Sequence, residues 1–341
     1  MKKMTIVALA VAVAFAADAK VFTPARGRVS GASAGVQTTQ KKSASKSQTV
    51  KKTVVAPSKS ASQWRRNPYV GAMAVDAQTG RVLFRDRADA LARPASVTKL
   101  MTALLVLEDI AAKKYGFDTV VEATADVSKA IPSWVGVKAG DTMTVDALLY
   151  ALMVQSANDA AIMLGVHSAG SLDGFVARMN ARAAKLGMTS TVYYNPNGLP
   201  PKPRNGTKDF NVTTCEDQVK LALAILKHPR ILTYTSVKVW PATYDGVRPI
   251  TGLNREKKQE QRKFINHNNV MVKDKLKIYN PDGKEAIDGL KTGYIDAGGS
   301  SVVLTGKRDG KRAVVVVLGS DSAKLRDANA RRIMVDALGA L

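Results

Sequence analysis

Apolar and polar positions alternate with period two near both ends of the folded part of this chain and recur about every 3.6 residues in between. Residues 69–75 and 81–85, joined by Asp76-Ala77-Gln78-Thr79-Gly80, read as a β-hairpin. Near the other end, SSVVLTG and RAVVVVLGS flank Lys307-Arg308-Asp309-Gly310-Lys311, and the Asp-Gly pair predicts a second hairpin. The stretches TVDALLYALMVQ, SANDAAIMLGVHSA, SLDGFVARMNARAAKLG and CEDQVKLALAILKH carry helical periodicity, and SAKLRDANARRIMVDALGAL predicts a closing helix. The pattern therefore predicts an α/β fold: an antiparallel sheet flanked by helices, built from both chain ends, with an all-helical subdomain inserted at about residues 115–230. No repeat of fixed period is visible.

The first 63 residues follow neither period. MKKMTIVALAVAVAFAADAK has two lysines, an apolar run from Ile6 to Ala17 and a small-x-small site at Ala17-Asp18-Ala19, the pattern of a signal peptide over 1–19. Its twelve apolar residues would span about 18 Å as a helix, against a hydrocarbon core of about 30 Å, so export is expected rather than a transmembrane anchor. Residues 20–63 hold nine Lys or Arg, no acid and few large apolar side chains, the composition of a disordered basic linker. The folded domain is expected over 64–341.

The linker carries part of a formal net charge of +23. In an exported protein such a segment meets anionic wall polymers or a membrane surface rather than nucleic acid, unless it is a solvated tail that binds nothing specific. Cys215 is the single cysteine, so no internal disulfide is possible. His167, His228 and His267 are scattered without ligand spacing and are read as structural, with no metal site. Asn205-Gly206-Thr207 and Asn211-Val212-Thr213 match glycosylation sequons, which matter only in a host that modifies them. The basic stretch from Arg248 to Lys277 is read as a solvated surface.

Short motifs need context. Gly31-Ala32-Ser33-Ala34-Gly35 and Ser43-Ala44-Ser45-Lys46 match a nucleophile elbow and S-x-x-K, but both lie in the linker and are rejected. Ser96 and Lys99, in PASVTKLM, lie three apart at a helix start, where their Cβ atoms are roughly 5–6 Å apart. The alternative is a plain helix cap. A free lysine is neutral in only about one molecule in 2,500 at pH 7, so a base at Lys99 needs burial, a helix N-terminus and a second cation. Ser156 and Asn158, in SANDAA, offer a hydroxyl and an amide, or simply another cap. Lys291-Thr292-Gly293, in IDGLKTGYI, reads as a short strand with a second cation and a glycine that permits close approach, or as an exposed strand end.

Taken together and in this order, S-x-x-K, S-x-N and K-T-G resemble the signature of penicillin-binding proteins and serine β-lactamases, and the spacing resembles the low-molecular-mass D-alanyl-D-alanine carboxypeptidases from about Tyr69 to Leu341. The resemblance implies the penicillin-binding transpeptidase fold and a serine-type carboxypeptidase acting on peptidoglycan pentapeptides through an acyl-enzyme, with β-lactams as covalent inhibitors and no cofactor. It implies Ser96 as nucleophile, Lys99 as base, Ser156 as proton relay and Asn158 as orienter. Lys291 and Thr292 would bind the substrate carboxylate, with Gly293 permitting close approach, and backbone N–H groups of Ser96 and Tyr294 would form the oxyanion hole. Ile295 stands where the family often has a hydroxyl residue. The chain ends after the helix at 322–341, so no second domain or amphipathic anchor is expected, and the enzyme is expected to be periplasmic or wall-associated. An endopeptidase cutting cross-links is the nearest alternative. A β-lactamase is disfavoured because none of Glu216, Glu256, Glu260 and Glu285 begins an E-x-x-L-N pattern. A non-catalytic wall-binding protein would leave the motifs as relics.

Overall fold

The computed structural model describes residues 64–200, 210–242 and 262–341, and the leader and linker expected over 1–63 lie outside them. The elements in chain order are β1 (Gly71–Asp76), β2 (Val82–Asp86), α1 (Lys99–Ala111), β3 (Val120–Glu122), β4 (Thr142–Thr144), α2 (Val145–Tyr150), α3 (Asn158–Ala169), α4 (Leu172–Lys185), α5 (Cys215–Ile225), α6 (Arg230–Thr235), β5 (Val239–Ala242), β6 (Arg262–Ile265), α7 (Asn269–Val272), β7 (Ile287–Ile295), β8 (Gly299–Arg308), β9 (Lys311–Ser320) and α8 (Ala323–Gly339).

Among the described residues, strands from both ends of the chain form one five-stranded antiparallel sheet in the order β2-β1-β9-β8-β7. Both expected hairpins are present. In the second, Asp309 and Gly310 take φ of 49° and 80°, the left-handed pair that a two-residue turn requires and that Asp-Gly supplies. The central strands read as continuous apolar runs because both faces are covered. Val314, Val316 and Leu318 of β9 join the core shared with α1, α3 and α5, while Val315 and Val317 pack with Ile333, Met334 and Ala337 of α8.

Helix starts sit where short polar side chains cap them: Thr144, Ser171, Thr214 and Ser322 each accept a bond from a backbone N–H three residues on. The helix expected over 144–155 is not uniform. After Tyr150 it widens into a π turn, Ala151–Gln155, and ends at Ser156 in the left-handed conformation (φ 60°). Among its described residues the inserted region carries helices joined by irregular segments and one short β3–β4 ladder, where Val120, Val121, Thr142 and Thr144 supply β-branched residues. No single helix among the described residues is long and apolar enough to cross a membrane. Leu104 of α1 is fully buried between sheet and helices, so Leu104→Ala should lower stability by about 2–5 kcal/mol, read as a fall in the urea midpoint at unchanged slope.

Candidate active site

Ser96 lies inside a 3₁₀ turn, Ala95–Thr98, that leads into α1, and neither the turn nor the helix uses its hydroxyl as a cap. The cap alternative therefore fails, and the side chain is left for other work. The turn is held under strain: Ala95 sits at φ 49°, a left-handed conformation costing a non-glycine residue about 1–2 kcal/mol. Two contacts hold it there. The Arg93 guanidinium lies over the rings of Trp64 and Phe210, 4.6 and 3.8 Å from their centroids, and donates to the Ala297 carbonyl in the β7–β8 turn. On the other side Gly198, at φ 90°, comes so close that a Cβ there would lie 1.8 Å from the Ala95 carbonyl oxygen.

Lys99 is fully buried, and its Nζ has three oxygen neighbours: Ser96 Oγ at 2.8 Å, Asn158 Oδ1 at 2.7 Å and the Asn197 carbonyl at 2.9 Å. The last two can only accept. The Asn158 amide is oriented by donating through Nδ2 to the Ile131 carbonyl. A neutral amine has two N–H bonds and one lone pair, so donating to both acceptors leaves the lone pair facing the serine hydroxyl. Burial, and secondarily the charge of Lys291, hold the Lys99 pKa well below its usual value, with Asp159 opposing weakly. Asp159 is itself occupied: the N–H groups of Val135, Gly136 and Val137 donate to it.

The 195–198 loop that supplies the Asn197 carbonyl is latched to α1. Thr102 donates to the Pro196 carbonyl, and Asn211 donates to Thr98 Oγ1 and the Asn195 carbonyl while accepting from the Tyr194 N–H. Asn211 is 1% exposed, so its sequon match is a structural asparagine and not a modifiable one. Asn205 lies outside the described residues.

The K-T-G strand is β7, the free edge of the sheet, and it is buried rather than an exposed strand end. A Cβ on Gly293 would lie 2.5 Å from the Pro94 carbonyl and 3.0 Å from the Ser96 N, so the glycine permits β7 to press against the serine turn. Lys291 lies opposite Val303, whose side chain belongs to the core on the α1 side of the sheet, and so shares that face. Its Nζ donates to the Thr292 carbonyl, and burial first, then the Arg326 charge, lower its pKa to about 7. Tyr294 is exposed, with its hydroxyl on Asp296.

Hydrogen bonds thus join Ser96, Lys99 and Asn158 directly, while none among the described residues links Ser156 or Lys291 to these three. Ser156 closes the π turn beside Asn158, and Lys291 acts on Lys99 through its field. Three features escape the sequence reading. Arg326, 4% exposed and paired with Asp327 at 2.6 Å, is a buried cation behind Lys291, and only its burial distinguishes it from its neighbours in α8. The Asn197 carbonyl is a backbone atom, signalled only by the turn residues of NPNGL. His267 has an exposed side chain yet feels the charges of this region: desolvation first, then the charges of Lys291, Lys99 and Arg326, hold its imidazole down to about 4. No three metal-ligating side chains converge among the described residues.

The profile of the family described as D-alanyl-D-alanine carboxypeptidase matches residues 58–322. The chain belongs to that family. Carboxypeptidase DacF of Bacillus subtilis is 27% identical over 263 residues, covering 77% of this chain and 60% of that protein. The D-alanyl-D-alanine endopeptidase of Escherichia coli is 29% identical over 262 residues, covering 77% of this chain and 74% of that protein. Among solved structures, the ampicillin-bound form of penicillin-binding protein D2 from Listeria monocytogenes superposes with a TM-score of 0.62 at 27% identity, over 79% of this chain and 97% of that one. The chain spans about three fifths of the length of the first curated carboxypeptidases it matches. For this member of the family, Gly293→Ala should push β7 off the Ser96 turn and slow labelling by a fluorescent penicillin at least about a hundredfold, with a far smaller effect on melting temperature.

Proposed function

We propose that this protein is a serine-type D-alanyl-D-alanine carboxypeptidase that removes the terminal D-alanine of peptidoglycan stem peptides. The observation that carries the reading is the desolvated Lys99 amine, 2.8 Å from Ser96 Oγ, with its two N–H bonds taken up by Asn158 and Asn197. In this reading Ser96 attacks the carbonyl between the two D-alanines while Lys99 takes its proton. Ser156 passes a proton to the departing D-alanine nitrogen, the C–N bond breaks, and Ser96 is left as an ester. The backbone N–H groups of Ser96 and Tyr294 receive the oxyanion, and Lys291 with Thr292 binds the substrate's terminal carboxylate. Water activated by Lys99 then releases the shortened peptide. Penicillin, which the Listeria relative's ampicillin complex makes the natural probe, enters the same acylation.

Its release should be slow. Glu216 is held by Arg85 at 2.7 Å and Glu285 by Lys238 at 2.6 Å, so neither is available as a deacylating base, and Glu256 and Glu260 lie outside the described residues. A second reading is the endopeptidase that cuts cross-links, the activity named for the E. coli relative that is 29% identical to this chain. On the leader at 1–19, we place the enzyme outside the cytoplasmic membrane, in the periplasm or at the wall.

Purified protein should release D-alanine from a pentapeptide and carry a fluorescent penicillin on Ser96, with Ser96→Ala losing both. Failure of the wild type to label overturns the hydrolase reading. The pH profile follows from the two lysines. Lys99 must be neutral, so kcat/KM rises as pH climbs through its lowered pKa. Lys291 must be charged, and a lysine is cationic only below its pKa, so kcat/KM falls as pH rises through about 7. Lys291→Arg, whose guanidinium does not titrate in this range, should move the alkaline limb upward, measured as kcat/KM from pH 5 to 10.

A further inference from the structure

Next to Ser156 in the chain, the described residues line an open, solvent-facing cleft of about 560 Å³ formed by Pro132, Ser133, Trp134, Gln155, Lys263 and Phe264. It starts where the reacting groups end. Gln155 immediately precedes Ser156, and both its carbonyl (2.7 Å) and its side-chain nitrogen (3.0 Å) bond the Ser133 hydroxyl. The Ser133 carbonyl in turn accepts from the Asn158 N–H at 2.8 Å. The loop that walls the cleft and the cradle of Lys99 are therefore one hydrogen-bonded unit. The opposite wall is β6, where Phe264 is backed by Trp240 and Tyr150 in a stack with centroids 5.7 Å apart at each step. From Phe264 the chain runs to Asn268, which reaches the Gly289 carbonyl of β7 at 3.5 Å.

Position, size and charge all bear on what fills it. In the reading above, Ser156 delivers a proton to the leaving nitrogen, so a cleft opening beside Ser156 lies on the leaving side of the scissile bond. A departing D-alanine offers only a methyl group there, whereas volumes of about 300–1,000 Å³ hold whole small ligands. Trp134 is 46% exposed, an indole left in water along the cleft it lines. Lys263 is exposed, and no acid among the described residues pairs with it. Asp159, the carboxylate bound to the same loop, is 1% exposed and turned inward onto Val135, Gly136 and Val137. An aromatic face beside a cation that no described acid pairs suits an aliphatic chain that ends in an anion.

We propose that this cleft is a leaving-side subsite for cross-linked stem peptides: it receives the long side chain that replaces the D-alanine methyl group in a cross-link, with Trp134 covering its methylenes and Lys263 meeting carboxylates of the attached peptide. The inference rests on the peptidase reading of the site and selects its substrate. No new bond chemistry is required, since the acyl half and the attack by Ser96 are unchanged.

The test keeps one acyl donor, diacetyl-L-lysyl-D-alanyl, and varies the leaving residue among D-alanine, D-lysine and Nε-glutaryl-D-lysine. The glutaryl peptide should exceed the D-lysine peptide about tenfold in kcat/KM. Lys263→Glu should reverse that order, and Trp134→Ala should cost the glutaryl peptide about fivefold. Release of D-alanine and penicillin labelling should stay within about twofold of wild type in both variants, since neither side chain touches the reacting atoms. The same preference is read without turnover, as the slowing of fluorescent-penicillin labelling by each peptide. An unchanged glutaryl-to-lysine ratio in Lys263→Glu, or an equal loss on the D-alanine peptide in Trp134→Ala, overturns the subsite while leaving the hydrolase reading intact. Absence of labelling in the wild type overturns both.

Discussion

The chemistry proposed for this fold depends on keeping one amine, that of Lys99, uncharged. Among the described residues Lys99 has no carboxylate partner. It has two pure acceptors and a serine, a complement that satisfies NH₂ fully and NH₃⁺ poorly. Each acceptor comes from a different part of the chain: the Asn158 amide from the start of α3, fixed by the Ile131 carbonyl, and the Asn197 carbonyl from a loop latched through Asn211 and Thr102. The helix that carries Lys99 and the strand that carries Lys291 must therefore be in register before the amine can be neutral. The anion near Lys99 among the described residues, Asp159, has its charge absorbed by backbone N–H groups and pulls the proton back only weakly.

Such a site works against the stability of the protein that holds it. Lys291 is lowered from 10.5 to about 7. Between those values the unfolded chain binds a proton that the folded one does not, so this residue makes folding more favourable as pH rises through the window and penalises it at and below neutrality. The opposing term is apolar burial on both faces of the sheet, with β8 and β9 packed against α8 on one side and α1, α3 and α5 on the other. Strain at Ala95 and the left-handed Ser156 add to the cost locally. Both strained residues lie at or beside the groups proposed to react, where such conformations concentrate.

Much of this was legible in the sequence, for a physical reason that differs from element to element. The hairpins announce themselves because a two-residue turn restricts its own chemistry, and Asp309-Gly310 has few alternatives. The three motifs are legible as a set because each reactive side chain sits at fixed local spacing: one helical turn for Ser96 and Lys99, one turn start for Ser156 and Asn158, one strand for Lys291 and Gly293. What stays hidden is whatever depends on a backbone atom or on depth. The Asn197 carbonyl has no side-chain signature, Arg326 looks like any other basic residue of a surface helix, and the π turn before Ser156 is invisible to a 3.6-residue period. Asn211 illustrates the converse error, since its sequon match is real in the sequence and irrelevant at 1% exposure.

The same field also explains why, in the proposed mechanism, a lysine and not a histidine is the group that moves protons. His267 lies close enough to Lys99, Lys291 and Arg326 to feel all three, and they push it in the same direction as desolvation does, down to about 4. An imidazole starting near 6.5 is thereby carried out of the useful range and becomes a weak base that stays neutral at working pH. An amine starting at 10.5 is carried toward usefulness by the same forces. A cluster of buried cations with few anions is poor ground for the usual acid–base residue and good ground for one whose ordinary pKa is too high. The basic character that makes Lys99 an unpromising base in water is what leaves it serviceable after desolvation and repulsion have acted.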